Sequence, residues 1–146
     1  TNDRRQRQMC IRDSIKKIKH LADVELFKIH IKNKSKKNKF NIDYESNLII
    51  NQLSKNDINI LIDEKGDIYE TIEFSKFIQK NFLYSSKKIV FIIGGAYGFN
   101  KELNKKVEKK ISLSKFTFTH DIARLLLIEQ IYRALTVIKN IPYHNH

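Results

Sequence analysis

Residues 111–144 read ISLSKFTFTHDIARLLLIEQIYRALTVIKNIPYH, and the reading of this stretch decides the fold. Ile111 to Phe118 is a short strand followed by a loop in which hydroxyl residues alternate with apolar ones. Such a loop can offer backbone amides and carbonyls to a heterocycle. Thr119 or Asp121 can cap the helix that follows, His120 to Lys139, since a short oxygen-bearing side chain accepts from an otherwise unpaired first-turn N–H. Ile122, Leu125, Leu126, Leu127, Ile128, Ile131, Ala134, Leu135, Val137 and Ile138 spread around the whole circumference of that helix. A helix apolar all round is buried on most sides. In a chain of this size its best burial lies between its own sheet and a second subunit.

Arg124, Glu129, Gln130 and Arg133 interrupt the apolar surface. Glu129 and Arg133 form an i, i+4 pair in the favourable order and can neutralise each other. Arg124 projects to nearly the opposite side and needs a phosphate, a carboxylate or a neighbouring subunit, because a buried guanidinium without a partner is costly. Beyond Lys139-Asn140, the turn Ile141-Pro142-Tyr143-His144 places two side chains that can donate hydrogen bonds or move a proton. The plainer alternative is a pair of solvated side chains near a terminus.

Working back from this stretch, Ile89-Val-Phe-Ile-Ile-Gly-Gly-Ala-Tyr-Gly-Phe99 is a buried strand that runs into glycines. Glycines at a strand's carboxyl end let a ligand approach the backbone, at the edge where open α/β sheets bind their ligands. A tight strand-to-helix turn explains them equally well. The run is neither a dinucleotide fingerprint nor a phosphate loop, so a pyrophosphate cradle is unsupported. A polar helix over about 100–110 follows it. Ile58 to Ile62 reads as another buried strand, Asp63-Glu64-Lys65-Gly66 as a turn, and Phe74, Phe77 and Ile78 as the apolar stripe of a helix. Asp43 can cap a helix to about Leu53, after a lysine-dense loop, KNKSKKNKFN. Val24 to Ile31 has strand composition, and Ile15 to Leu21 fits the end of an amphipathic helix. Strands alternating with helices predict an α/β fold on a parallel sheet.

Residues 1–14, TNDRRQRQMCIRDS, show neither periodicity, and their Arg4, Arg5, Arg7 and Arg12 contrast with the lysines of the body. We read them as a non-native segment, and 15–146 as one domain. No apolar run reaches the roughly 18 residues of a membrane span, and the lone Cys10 excludes a disulfide framework or a cysteine-rich zinc site. The cytoplasm is therefore the expected compartment. The 28 Lys and Arg against 16 Asp and Glu give a formal charge of +12. That excess favours a polyanionic partner, because neutralising phosphates releases counterions; a compositional drift toward lysine is the competing explanation.

Taken in order, IDEKG, FIIGGAYGF and the closing stretch, with its R-L-x-x-x-E-Q-x-Y-R-A and P-Y-H, resemble one family over roughly residues 15–146. It is that of the ribosomal large-subunit pseudouridine N3-methyltransferases, the RlmH family of SPOUT enzymes. The resemblance implies a parallel sheet flanked by helices with a C-terminal trefoil knot, an exception to the rule against knots, and a homodimer seamed by the final helix. It implies S-adenosylmethionine as cofactor, on Ile62, Gly94, Leu113, Ser114, Lys115, Phe116, Thr117 and Phe118, and no metal. The absence of a phosphate loop fits a donor that carries no phosphate. It implies methylation of N3 of a pseudouridine in 23S rRNA of the ribosome, with His144, Tyr143, Arg124 and Arg133 as candidate catalytic residues. The family begins with a strand that this sequence does not supply, so an incomplete sheet is expected. The contrasting expectation is a non-catalytic, basic RNA- or ribosome-binding protein.

Overall fold

The computed structural model describes residues 2–29, 38–85, 87–94 and 98–145. Three strands, β1 (Ile58–Ile68), β2 (Ile89–Ile93) and β3 (Lys109–Ser112), form a parallel sheet in the order β2-β1-β3. The central strand pairs from Ile58↔Ile89 to Ile62↔Ile93 on one side, and from Ile60↔Lys109 to Ile62↔Ile111 on the other. Successive side chains of a strand point to opposite faces. Ile58, Ile60, Ile62, Ile89, Phe91 and Ile111 thus meet one hydrophobic core, while Leu61, Val90 and Ile92 meet a second. Both faces are apolar because both are covered, as parallel sheets require.

The larger core lies under α1 (Asn2–Lys19), α3 (Thr71–Leu83) and α5 (His120–Ile138). It gathers Ile11 and Ile18, Phe74 and Ile78, and Ile128, Ala134 and Leu135 from those helices. The smaller core lies under α2 (Asn38–Gln52) and α4 (Lys101–Lys106), with Leu103 wholly buried against Leu61 and Ile92. α5 packs against both α1 and α3, and none of its residues is fully exposed. Two helices and the sheet of its own chain therefore account for much of its all-round apolarity.

Several local expectations change. Residues 2–14 lack an apolar stripe, yet they are helical and continuous with 15–19; Ile11 is held in the core by the packing of α1 on α5. Residues 24–29 have strand composition but no regular structure, and Leu26, Phe27 and Ile29 are exposed; a strand needs a hydrogen-bonded neighbour, and none is present among the described residues. The remainder of that expected strand, and most of the lysine-dense loop, fall outside the described residues. α2 begins ahead of Asp43, which lies within the helix rather than capping it. The polar helix expected over 100–110 ends at Lys106, and β3 takes up Lys109 and Lys110.

The expected turn at Asp63-Glu64-Lys65-Gly66 is a bulge within a longer strand. Ile62 and Asp67 both pair with Ile111, leaving residues 63–66 outside that ladder. Lys65 N donates to Asp63 Oδ1 at 3.0 Å, closing a local turn. β1 then runs on to Ile68 and delivers the chain to α3.

Candidate active site

Ile62 lies beside Ile93 and Ile111 in the sheet, so Gly94 and the stretch from Leu113 leave the two outer strands at the same carboxyl edge. The sheet thus gathers all eight expected cofactor positions on one edge. Leu113, Ser114 and Phe118 are half-buried, Lys115 and Thr117 exposed, and Phe116 is 79% exposed. Ser114 shapes the loop: its Oγ accepts from Phe116 N at 3.0 Å, and its carbonyl accepts from Ser112 Oγ at 2.9 Å. Thr117 Oγ1 donates to Glu64 Oε2 at 3.2 Å, tying the loop to the β1 bulge. At Gly94 the place of a Cβ is filled by the Phe99 ring. The close approach is here made by the chain's own side chain, and Gly95 lies outside the described residues.

Asn100 fixes the chain's return from the glycine segment. Its Oδ1 accepts from Leu103 N at 3.0 Å, capping α4, while its own N–H donates to the fully buried Ser46 Oγ at 3.0 Å. Asn100 Nδ2 donates to Asp43 Oδ1 at 3.2 Å. These contacts close one side of a cavity of about 640 Å³ between α2 and α4.

At the other end of the closing stretch, α5 stops in a left-handed turn. Asn140 has φ 56°, a conformation that Asn tolerates better than other non-glycine residues. Ile141 N donates to Thr136 O at 2.9 Å and Asn140 N to Val137 O at 3.3 Å. This pair of bonds defines a Schellman ending and turns the chain back along the helix. The fold-back brings Tyr143 and His144 to Glu129 and Arg133.

Glu129 is the hub of that meeting. Its Oε1 accepts from Arg133 Nη2 at 2.6 Å, Arg133 Nε at 3.1 Å and Tyr143 Oη at 3.3 Å. Its Oε2 accepts from Gln130 Nε2 at 2.8 Å, and Gln130 Oε1 accepts in turn from Thr71 Oγ1 at 3.3 Å. Arg133 lies 4.8 Å from the centre of the Tyr143 ring, and Tyr132 meets that ring edge-on at 4.9 Å. Arg133 Nη1 stands 3.1 Å from His144 Nδ1. The hydrogen bonds that Arg133 donates to Glu129 hold its guanidinium above its ordinary pKa. Burial, and next the Glu129 carboxylate, push the Tyr143 phenol above its usual value, so it stays protonated at neutral pH.

Of the four expected catalytic side chains, the structure brings together Arg133, Tyr143 and His144. Arg124 stands nine residues ahead of Arg133, about 14 Å along the helix axis. Its partner is a carboxylate of its own helix, Asp121, with Arg124 Nη1 3.4 Å from Oδ1. Asp121 is therefore engaged away from the cap, and Thr119 occupies the cap position without a side-chain cap bond. In the sequence Glu129 stands out only as a neutraliser of Arg133, and nothing marks a role for Gln130 or Tyr132. The i, i+3 spacing of Glu129 and Tyr132, ahead of a tail able to fold back, was the available signal.

A parallel sheet covered on both faces, with loops gathered at its carboxyl edge and a folded-back tail, defines an α/β protein. The family described as "Predicted SPOUT methyltransferase" matches residues 2–144, and the chain belongs to that family. It is 45% identical over 101 residues to a protein of Christiangramia forsetii named Ribosomal RNA large subunit methyltransferase H, covering 69% of this chain and 64% of that protein. A protein of the same name from Parabacteroides distasonis gives the same identity and coverage. The chain thus spans just under two thirds of those relatives. A third, from Phocaeicola vulgatus, is 37% identical over 138 residues, covering 93% of this chain and 88% of its own.

Proposed function

We propose that this chain transfers a methyl group from S-adenosylmethionine to N3 of a pseudouridine in 23S rRNA of the large ribosomal subunit. The observation that carries the reading is the convergence of Ile62, Gly94 and the loop 113–118 on one carboxyl edge of a parallel sheet. The residues present fit the donor. Loop 113–118 lies between β3 and α5, outside both ladders, so its backbone polar groups suit a neutral heterocycle. Half-buried Ile62, Leu113 and Phe118 and exposed Phe116 leave apolar surface for that heterocycle to cover. When bound, the sulfonium supplies an already activated methyl group. The protein's task is then to align the target base, which can be worth ~7–11 kcal/mol of barrier, and to stabilise the charge that develops as N3 loses its proton.

Arg133, Tyr143 and His144 approach the base in this reading, and Arg124 helps hold the RNA. A second copy of the chain along α5 would cover half-buried Ile122, Leu125 and Leu126 and bring Arg124 of one copy near the tail of the other. The finer topology belongs to the same proposal: a trefoil knot threaded by the segment from Leu113 through α5, and a family strand that the sheet of the described residues does not contain. The cytoplasm is the proposed compartment; among the described residues no helix is long and apolar enough to cross a membrane.

The test is a labelled-methyl assay on ribosomes lacking the modification, with mass mapping of the product. Label on N3 of one pseudouridine is expected. Ribosome binding without label, and no heat with S-adenosylmethionine in calorimetry, would instead identify a non-catalytic basic binder.

A further inference from the structure

A guanidinium carries five N–H donors and no acceptor. Because Arg133 Nη1 lies 3.1 Å from His144 Nδ1, that ring nitrogen must be the acceptor. A neutral imidazole then bears its single proton on Nε2. Glu129 makes the arrangement specific by occupying Nε and Nη2 of the same guanidinium, at 3.1 and 2.6 Å, which aims Nη1 at the ring. The Tyr143 ring stacks on Arg133 from another side, and its hydroxyl donates to the same Glu129 oxygen. His144 also lines a cavity of about 290 Å³ with Thr136, Val137, Asn140, Ile141 and Pro142, which is room for one planar base.

The geometry points to His144 as a hydrogen-bond donor through Nε2–H to a carbonyl oxygen of the target base, with Glu129 and Arg133 as positioning residues that fix its tautomer. This role rests on the reading of the chain as an N3-methyltransferase. N3 of a pseudouridine is flanked by two carbonyls. As the N3–H proton passes to solvent water, the electron pair of that bond forms the new bond from N3 to the methyl carbon, and the sulfur retains the pair of the bond it loses. Negative charge that develops on the flanking oxygens is stabilised by a preorganised N–H donor. The Tyr143 hydroxyl already donates its proton to Glu129 Oε1 at 3.3 Å.

Two measurements on the full chain decide the matter. The first is the ring spectrum of protein labelled with ¹⁵N in histidine, with the His144 signal assigned by its loss in His144→Gln. A single Nε2–H tautomer is expected, returning to a mixture in Arg133→Met. A proton on Nδ1, or a mixture already present in the unaltered protein, overturns the inference. The second is turnover on ribosomes lacking the modification. His144→Ala is expected to lower kcat about 10²-fold with little change in KM, whereas His144→Gln, which keeps an N–H donor and cannot act as a base, stays within about tenfold of the unaltered chain. A glutamine variant as impaired as the alanine variant overturns the donor role. The spectrum needs neither cofactor nor RNA, so a chain that transfers no methyl would refute the functional reading while the tautomer is still decided.

Discussion

Gly66 passes so close to Ile111 that a Cβ on the glycine would stand 2.7 Å from the Ile111 backbone nitrogen and 2.8 Å from its carbonyl carbon. The contact is backbone on backbone, so no side chain can turn aside to relieve it. It lets β1 meet Ile111 twice, at Ile62 and at Asp67, with the bulge between them. That bulge holds Glu64 where Thr117 can reach it.

Gly66→Ala should therefore destabilise the fold by about 1–3 kcal/mol, the usual cost of overpacking, seen as a lower midpoint in thermal or urea unfolding. Movement of Glu64 should also weaken S-adenosylmethionine binding in calorimetry. Unchanged affinity in a folded variant would show that the bulge does not shape the loop.

Glu129→Gln keeps the shape of the hub and removes its charge. Arg133 loses a charge-assisted acceptor, at a cost of about 1–2 kcal/mol for a pair that remains partly open to solvent. The expected signature is a fall in kcat with S-adenosylmethionine affinity unchanged, because the hub's hydrogen bonds run to Thr71, Arg133 and Tyr143 and not to loop 113–118. A loss of cofactor affinity alone would place the hub's role elsewhere.

The left-handed turn at Asn140 can be tested by shape alone. Asn140→Gly should leave stability within a few tenths of a kcal/mol, while Asn140→Val should cost about 1–2 kcal/mol or release the turn. Release would be read as loss of methyl transfer with α5 still helical by circular dichroism.

Tyr143 sets an alkaline limit. Its pKa in the folded chain is raised above 10.0. By linkage, its stabilising contribution is complete below pH 10 and is lost as pH rises through the folded value. A difference titration of phenolate absorbance against Tyr143→Phe should show this residue ionising above an ordinary tyrosine. Ionisation below 10.0 would contradict the placement beside Glu129.

Much of this architecture was legible in the sequence, for identifiable reasons. Ile89–Ile93 is apolar on both faces because both faces are covered, which produces a continuous run, and Ile58–Ile62 follows the same pattern apart from the buried Asn59. Phe74 and Ile78 repeat at helical spacing and are buried as expected. α1 was illegible over 2–14 because only Ile11 there is an inward apolar anchor, and its burial depends on α5, more than a hundred residues away. Val24–Ile29 misled because composition reports what a strand would accept, and says nothing of whether a neighbour is there. At the site, the i, i+4 pair of Glu129 and Arg133 was visible, but the return of Tyr143 and His144 to it depends on one left-handed residue. A hydrogen bond between Arg133 and His144, eleven positions apart, has no periodic trace.

The packing of α1 on α5 also sets an order of events on the ribosome. α1 is made well before α5, which supplies the surface that buries Ile11 and Ile18, and Lys139 Nζ closes the pair by donating to Leu21 O at 2.7 Å. Until synthesis reaches α5, the larger core lacks one wall and the apolar face of α1 stays uncovered. Such long-range closure slows folding and invites chaperone attention. It also ties the folded-back tail to the closure of the larger core, because α5, which completes that core, leads directly into the turn at Asn140.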